Sequence, residues 1–295
     1  MPDLVQLAIP AFLGLLLLEA VVAAWQGRKA YEARDTAASL AMGVGNVLIG
    51  LATKGALFGL LLWLYRHRVL DLGTSLGTGA AGWLAVLVAE DFTYYVSHRA
   101  HHEVRFFWAA HVNHHSSRRY NLATALRQSW TTPFTTVPFY VWLPLVGFHP
   151  AMILTASAVS LLYQFWIHTE LLDRLPRWLE AVFNTPSHHR VHHGANAEYL
   201  DRNHGGILIV WDRLLGSFEP ERAPVRYGLT KNLETFHPVK IAFHEWADLV
   251  RDVARARSWR ERAGYAFGPP GWSPDGSRQT SRELRAALTA EAATA

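Results

Sequence analysis

Histidine placement constrains this chain more than any other feature of its sequence. Thirteen of the 16 histidines lie between His98 and His204, and ten of these stand in three clusters. The clusters are His98, His101 and His102, then His111, His114 and His115, then His188, His189, His192 and His193. Imidazole is costly to bury unless its nitrogens find partners, so ordinary core packing does not gather histidines in this way.

The spacing within each cluster predicts that its rings point in one direction. Side chains three and four residues apart share one face of a helix. The predicted sets are His98 with His102, His111 with His114 and His115, and His189 with His192 and His193. Neutral imidazole is the commonest protein ligand for metals. Eight such nitrogens exceed the four ligands of one tetrahedral zinc and predict two metal ions side by side, with a polar structural cluster as the alternative.

The composition favours a membrane protein and narrows the chemistry. Half of the 295 residues are hydrophobic and 18% are charged. The lack of cysteine excludes disulfides, thiolate metal sites and iron–sulfur clusters. The formal net charge of +4 is modest, and the arginines do not form a stripe interleaved with aromatic residues. Nucleic acid is therefore not an expected partner, whereas anionic lipid headgroups are.

Three apolar runs occupy residues 4–25, 36–63 and 80–96. The first two are long enough to cross a bilayer as helices, and the third runs directly into His98. A cleaved signal peptide is the competing interpretation of the first run, but no basic segment precedes it and no clear cleavage site follows. Glu19 is the one charge in that run. We expect it near the lipid headgroups, with a buried functional acid as the alternative.

Two further apolar runs, residues 133–148 and 151–167, predict a hairpin that dips into the bilayer and returns. Such a hairpin leaves His149 in a turn away from the clusters and brings His168 back toward them. Basic residues are more frequent around the clusters and after the first run than between the second and third runs. Because basic loops of membrane proteins tend to lie in the cytoplasm, this predicts a cytoplasmic face for the histidines. The expected fold class is all-α: a multi-pass membrane helical bundle with a cytoplasmic, histidine-rich di-metal cap.

The chain becomes polar after Gly194. Residues 240–259 predict an amphipathic helix that either lies in the membrane interface or packs against the metal domain. Residues 277–295 predict a weak helix or a flexible tail. We therefore expect an N-terminal transmembrane hairpin in residues 1–80, a catalytic domain of membrane helices and histidine clusters in 81–219, and the amphipathic helix and tail in 220–295.

Ligation by histidine alone limits the choice of metal. Magnesium and calcium prefer oxygen ligands, whereas imidazole suits iron, zinc or copper. Histidines at the mouth of a membrane bundle favour two ferrous ions that activate O2 against a C–H bond of a lipid entering from the bilayer, a reaction that no side chain performs. The neighbouring carboxylates Asp91, Glu103 and Glu170 are expected to orient imidazoles. Pairing with nearby arginines is the alternative for each.

The complete pattern resembles that of the fatty acid hydroxylase / sterol desaturase superfamily. His-x3-His begins at His98, and His-x2-His-His begins at both His111 and His189. Longer strings, such as Phe107-Trp-Ala-Ala-His111 and Asn184-Thr-Pro-Ser-His188, are similar to the alkylglycerol monooxygenase branch of that superfamily. The likeness covers residues 91–219.

This resemblance implies a di-iron, O2-dependent membrane enzyme that oxidises a lipid and takes electrons from an external donor. In the alkylglycerol branch that donor is a reduced pterin, tetrahydrobiopterin. The implied metal ligands are His98, His102, His111, His114, His115, His168, His189, His192 and His193. Gln164 stands where a second additional histidine is expected beside His168. His101 and His188 are alternates or hydrogen-bonding neighbours, and His204 is expected at the surface or behind the ligands.

Other functions remain open from the sequence. A sterol or lipid desaturase would use the same di-iron site, since hydroxylation and desaturation differ only in the steps after hydrogen abstraction. A membrane metal-binding or transport protein would need ionisable residues along a path through the bilayer, where only Glu19 and Lys54 are expected. A scaffolding protein gives no reason for converging imidazoles.

Overall fold

The computed structural model describes residues 4–294. Over that range the chain is helical, with no β-strand and two isolated bridges between backbone segments. The all-α part of the expected fold class is therefore confirmed. The helices are α1 (Leu4–Trp25), α2 (Ala33–Arg66), α3 (Leu72–Leu76), α4 (Ala80–Glu103), α5 (Arg105–Trp108), α6 (Leu122–Ala125), α7 (Thr132–Thr135), α8 (Val137–Tyr140), α9 (Trp142–Leu145), α10 (Pro150–Trp166), α11 (Arg177–Val182), α12 (Pro186–His192), α13 (Val210–Leu215), α14 (Pro238–Arg255), α15 (Trp259–Phe267) and α16 (Ser281–Thr294).

Helices α1 and α2 are long, apolar and largely exposed. Helix α2 begins after Glu32, whose carboxylate accepts hydrogen bonds from the amides of Arg34 and Asp35 and so satisfies donors that the first turn leaves unpaired. By length and composition both helices can cross a membrane, and few of their side chains are buried in the protein. An apolar core helix of a soluble protein is mostly buried. The exposed apolar side chains of these two helices instead form a surface that suits lipid.

Helix α4 connects the apolar part of the fold to the histidines. Its 24 residues span about 36 Å at a rise of about 1.5 Å per residue. The first half packs against α10 and the segment before it, where Val86, Leu143, Ile153 and Ala156 form a fully buried core. The second half carries buried polar side chains and ends with the first histidine cluster.

The apolar run of residues 133–148 forms three short helices, α7 to α9, of four residues each. Each contains a proline (Pro133, Pro138 or Pro144). Proline has no amide donor and clashes with the preceding turn, so one continuous helix cannot form. The chain then reverses at Gly147, whose φ of +97° is left-handed. Helix α10, of 17 residues, returns it to the histidines over about 25 Å, less than the bilayer core of about 30 Å.

Glu19 is buried within the protein, as in the second alternative, but its partners give it a structural role. Its carboxylate accepts hydrogen bonds from the Leu122 amide at 2.7 Å and from the hydroxyls of Tyr31 and Thr169. Burying a carboxylate is costly unless it is hydrogen-bonded, and three donors meet that need. Glu19 thereby fastens the end of α1 to the segments that follow the second histidine cluster and His168.

The C-terminal helices pack on the rest of the fold. Helix α14 buries Ile241 and Ala242 against Ala38 and Met42 of α2. Packing of this amphipathic helix on the protein is therefore observed, and its position in the membrane interface stays a prediction.

An ionic network adds to this packing. The guanidinium of Arg105, buried in α5, lies 2.8 Å from Asp252 of α14, and Asp252 also accepts hydrogen bonds from Arg278 at 2.6 and 3.0 Å. From α16, Arg285 donates to the carbonyl of Leu200 at 2.6 Å. Of the two alternatives for residues 277–295, a helix is the one observed. The final alanine lies outside the described residues.

Candidate metal centre

Helices position the first and third histidine clusters, as predicted. His98 and His102 lie one turn apart near the end of α4. Helix α12 carries His189 and His192 and has His193 as its C-cap residue. None of these five side chains is more than 5% exposed.

The second cluster is not helical, which corrects the prediction. The backbone forms turns up to Asn113 and then a single 3-10 turn. Asn113 accounts for the break, because its side chain accepts the His114 amide at 3.0 Å and its carbonyl accepts the Ser116 hydroxyl at 2.7 Å. Short polar side chains that bond to nearby backbone compete with helix formation. His111, His114 and His115 converge because of this turn.

The nine histidines proposed as ligands form two adjacent groups, and within each group the potential ligand atoms lie within 4.8 Å of one another. The five-histidine group contains His98, His102, His111, His115 and His192. The four-histidine group contains His114, His168, His189 and His193. The groups are in contact, since the rings of His115 and His193 stack with centroids 4.4 Å apart. The fold therefore brings all nine residues together, His168 included.

Hydrogen bonding in the four-histidine group shows which ring nitrogens are available to bind a metal ion. His168 Nδ1 lies 2.7 Å from the Gln164 carbonyl, and His114 Nδ1 lies 3.3 Å from the Arg127 carbonyl. A carbonyl only accepts, so each Nδ1 donates and each neutral ring carries its lone pair on Nε2. These two Nε2 atoms are 3.3 Å apart. Two facing lone pairs repel unless a positive ion binds both. Metal–nitrogen bonds of about 2.0–2.1 Å at angles of roughly 90–110° place neighbouring nitrogens about 2.9–3.4 Å apart.

The five-histidine group also contains Nε2 atoms that are free to bind a metal ion. His98 Nδ1 donates to the His204 carbonyl at 2.8 Å, so its Nε2, 3.0 Å from His111 Nε2, carries a lone pair. The Nε2 atoms of His102 and His192 are buried without a hydrogen-bond partner. Each unpartnered buried nitrogen costs about 1–3 kcal/mol, and a metal ion would remove that cost. The donor set of both groups therefore fits metal ions that prefer imidazole.

Burial keeps these rings neutral and available to a metal. It lowers the pKa of His114 to about 4. It lowers the pKa of the other eight well below the usual 6.5, because a positive charge is unfavourable away from water. At neutral pH protons therefore do not compete with a metal for the Nε2 lone pairs.

Asp91 is buried beside the centre but does not orient an imidazole as expected. Its carboxylate accepts the amides of Ile207 and Leu208 at 2.7 and 3.2 Å and the indole N–H of Trp211 at 2.8 Å. It therefore fixes the backbone that follows the third histidine cluster.

Glu103 and Glu170 also differ from the prediction. Both are exposed, and Glu103 accepts a hydrogen bond from Arg99 at 2.9 Å. In the described part of the chain neither side chain bonds to an imidazole. A carboxylate that does approach a proposed ligand is that of Asp201, 3.7 Å from His102 Nδ1.

Four other residues considered as alternates stand outside both groups. His101 uses one nitrogen on a backbone carbonyl and the other on a threonine hydroxyl. His188 donates to a backbone carbonyl, and the Gln164 amide donates to a serine. His204 is fully buried, which excludes the surface position. Its ring lies behind the five-histidine group, 5.1 Å from the ring of His102.

Comparison with known proteins matches residues 83–217 to the fatty acid hydroxylase family. The central part of the chain is therefore a fatty acid hydroxylase domain. It is 39% identical over 277 residues to alkylglycerol monooxygenase of Homo sapiens and 37% identical over 275 residues to that of Xenopus tropicalis. Each alignment covers 92% of this chain, and they cover 61% and 60% of the respective relatives. The resemblance seen in the histidine pattern is confirmed.

A more distant similarity links the chain to ornithine lipid hydroxylase OlsE of Rhizobium tropici, with 31% identity over 147 residues. That alignment covers 49% of this chain and 44% of the relative. The chain spans about 60% of the length of the two alkylglycerol monooxygenases above. No solved structure matches it.

A loop that the histidine pattern does not predict holds two of the nine histidines from behind. We name residues 200–206 the anchor loop. Its Arg202 carbonyl accepts a hydrogen bond from His192 Nδ1 at 3.0 Å, and its His204 carbonyl holds His98. Asp201 and Asn203 have φ values of +52° and +57°, a left-handed conformation that aspartate and asparagine tolerate better than most residues. The turn-forming sequence Asp201-Arg-Asn-His204-Gly-Gly was the available signal.

Two buried side chains hold the anchor loop. Asn203 Nδ2 donates to the carbonyls of His188 and Glu219 at 3.1 and 2.8 Å, and its Oδ1 accepts the Glu219 amide at 2.8 Å. Asp212 accepts the amides of His204 and the following glycine at 2.8 and 2.7 Å. Backbone carbonyls, fixed in this way, perform the orienting role that sequence reasoning assigned to carboxylates.

Proposed function

We propose that the protein is a membrane-bound di-iron oxygenase that uses O2 to hydroxylate an unactivated C–H bond of a lipid, either an ether lipid or a fatty chain. The observation that carries this proposal is the pair of adjacent, buried histidine groups whose Nε2 lone pairs face one another. The names of the relatives, alkylglycerol monooxygenase and ornithine lipid hydroxylase, support hydroxylation of a lipid over desaturation.

We assign one iron ion to each group. Each group would hold one ion. A ring whose Nδ1 donates to a backbone carbonyl would bind that ion through Nε2. When bound, the two ions supply the activation of O2 that side chains cannot provide. The protein fixes the tautomer of His98, His114, His168 and His192 through carbonyls 2.7–3.3 Å away. Burial keeps bulk water from the nitrogens.

We propose that an external electron donor approaches from the side of the C-terminal helices. A cavity of about 340 Å³ opens there and reaches His102, His115, His192 and His193. Its wall includes the exposed Lys231 and other polar side chains, which suits a small water-soluble reductant. Tetrahydrobiopterin, the donor implied by the resemblance, is the candidate that we would test first.

We further propose a multi-pass membrane location with the histidines on the cytoplasmic side. Helices α1 and α2 are exposed and apolar. Helix α4 adds an exposed stripe of Leu84, Val88, Phe92 and Val96. The three-part division into residues 1–80, 81–219 and 220–295 belongs to this proposal. A transport path is disfavoured, because Glu19 is fastened by three hydrogen bonds instead of lining a channel.

The test is a comparison of lipid extracts by mass spectrometry. Cells producing the wild-type chain are compared with cells producing His189→Ala, and His67→Ala, an exposed histidine outside both groups, is the matched control. We expect a lipid that gains one oxygen atom with the wild type and with the His67 variant only. Growth under isotopically labelled O2 should place the label in that lipid.

Two results would contradict the proposal. A lipid that loses two hydrogens without gaining oxygen would identify a desaturase. Equal lipid profiles for the wild type and the His189 variant, with iron present in the wild type, would show that the histidine groups do not carry out this reaction.

A further inference from the structure

A second cavity, of about 380 Å³, lies outside the two histidine groups. Three arginines contribute to its wall: Arg174, Arg177 and Arg213. All three are exposed. None of them takes part in the proposed oxygenase chemistry, so the cavity needs an explanation of its own.

The charges around this cavity are not balanced. Arg177 has no hydrogen-bond or ion-pair partner among the described residues, and Arg213 donates to the backbone carbonyl of Glu180 at 2.9 Å. The side chain of Glu180 is occupied by an amide and a hydroxyl. The second acid, Glu221, accepts hydrogen bonds from Nε and one terminal nitrogen of Arg190 at 2.9 and 2.8 Å. Arg174 donates to the backbone carbonyl of Glu221, which carries no charge. Counting Arg190, four arginines therefore face two acids around this cavity and leave a net positive charge, and guanidinium groups suit phosphate oxygens.

The segments that line this cavity also carry exposed apolar side chains. Trp178 on α11 is 69% exposed and Leu214 on α13 is 70% exposed. Leu172, Val182 and Leu215 are exposed beside them. Large exposed apolar patches on a folded protein mark interaction surfaces. We name these five residues the apolar rim.

The apolar rim lies beside the lipid-facing stripe of α4. Asp91 precedes His98 by seven residues, or about 10 Å along the helix toward its apolar half. It binds Trp211 of α13, whose ring also contacts Phe92 of that stripe at a centroid distance of 5.0 Å. Arg99 donates to the carbonyl of Leu215 at 3.3 Å. Helix α13 is thus held where the exposed stripe of α4 ends.

The other end of the rim is fixed to α1. Arg28, just beyond the end of that helix, donates to the carbonyl of Glu170 at 2.8 Å, two residues before Leu172. The rim therefore joins the ends of two exposed apolar helices, at the level where a bilayer spanned by them would meet its headgroups.

We propose that this cavity binds the phosphate headgroup of an anionic phospholipid while the apolar rim enters the bilayer surface. The inference rests on the membrane location given under Proposed function, but not on the oxygenase chemistry. The ligand is a lipid and not a free phosphate, because the arginines are bordered by apolar side chains that soluble anions do not need.

Lipid retention tests the site. The full chain is reconstituted into nanodiscs of phosphatidylcholine and phosphatidylglycerol, extracted with mild detergent, and the lipids that remain bound are quantified by mass spectrometry. We expect phosphatidylglycerol to be enriched over phosphatidylcholine. Each basic residue near a membrane surface contributes about fivefold to anionic lipid binding. Arg177→Ala should therefore reduce the enrichment about fivefold, and Arg174→Ala with Arg177→Ala about 25-fold. Arg222→Ala, a 77% exposed arginine outside the cavity, should leave the enrichment unchanged.

Three results would overturn the proposal. The first is equal enrichment in Arg177→Ala and Arg222→Ala. The second is displacement of phosphatidylglycerol by soluble glycerol phosphate, which would assign the cavity to a free phosphate ester. The third concerns tryptophan fluorescence, which brominated lipid quenches. If Trp178→Phe showed as much quenching as the wild type, the rim would lie outside the bilayer.

Iron content, measured on the same preparations, separates this proposal from the proposed function. Wild-type protein that enriches phosphatidylglycerol but holds no iron contradicts the oxygenase and supports the lipid site. Wild-type protein that holds iron but does not enrich phosphatidylglycerol contradicts the lipid site and leaves the oxygenase proposal standing.

Discussion

Replacing Asn203 by alanine tests whether the anchor loop supports the metal centre. Asn203 is fully buried, left-handed in its backbone and engaged in three hydrogen bonds of 2.8–3.1 Å. The carbonyls on either side of it, those of Arg202 and His204, hold Nδ1 of His192 and His98. The substitution should therefore affect both stability and metal binding.

The size of the stability effect follows from these contacts. Three hydrogen bonds at about 1 kcal/mol each give about 3 kcal/mol. Alanine in a left-handed backbone adds about 1 kcal/mol relative to asparagine. We expect Asn203→Ala to lower the free energy of unfolding by about 4 kcal/mol. Because two imidazoles lose their fixed orientation, metal affinity should fall about 10–100-fold.

Asn196→Ala is the matched control. Asn196 is buried and also makes three side-chain hydrogen bonds, of 2.8–3.2 Å, but its φ is an ordinary −64° and it does not fix the anchor loop. It should lose about 3 kcal/mol with unchanged metal affinity. Unfolding is followed by circular dichroism in detergent, and iron affinity by competition with a chelator.

Two outcomes would refute the reasoning. If Asn203→Ala bound iron as tightly as the wild type, the carbonyls would not orient the ligands. If both asparagine variants lost iron affinity equally, the effect would reflect general destabilisation.

The remaining predictions concern single contacts. His114→Ala should lose iron and turnover while remaining in the membrane fraction, whereas the exposed His67→Ala should retain both; iron analysis decides, and full iron content in the His114 variant would remove it from the site. Arg127→Met leaves Asp35 buried without its ion-pair partner, so the free energy of unfolding should fall by about 3–5 kcal/mol, and a loss below 1 kcal/mol in a thermal melt would contradict this. Burial raises the pKa of Asp252, but hydrogen bonds from two arginines outweigh it, and the net pKa lies below the usual 3.8. This carboxylate therefore stabilises the fold above pH 3.8, and its contribution is lost as the pH falls through the lowered pKa. Asp252→Asn should destabilise the protein more at pH 7 than at an acidic pH at which the carboxylate is protonated, and an equal loss at both pH values would refute the assignment.

Local features of the sequence were sufficient to predict which histidines the fold brings together. His98 with His102, and His189 with His192, are spaced for one helix face, and the helices that carry them form as expected. The long apolar runs predicted α1 and α2 for a similar reason, since composition over some 20 residues is a local property. Proline positions could have predicted the division of residues 133–148 into α7 to α9.

The sequence by itself thus determined which histidines come together in the two groups and that two long apolar helices precede them. Only the tertiary structure decided which nitrogen of each ring faces inward, because that depends on contacts between distant residues. His98 is oriented by the carbonyl of His204, 106 residues later, and Asp91 holds a backbone segment more than 100 residues away. Periodicity reports only the nearest turns of a helix, whereas these contacts arise when separate segments pack. The same packing placed Arg177 and Arg213, from separate helices, in the wall of one cavity.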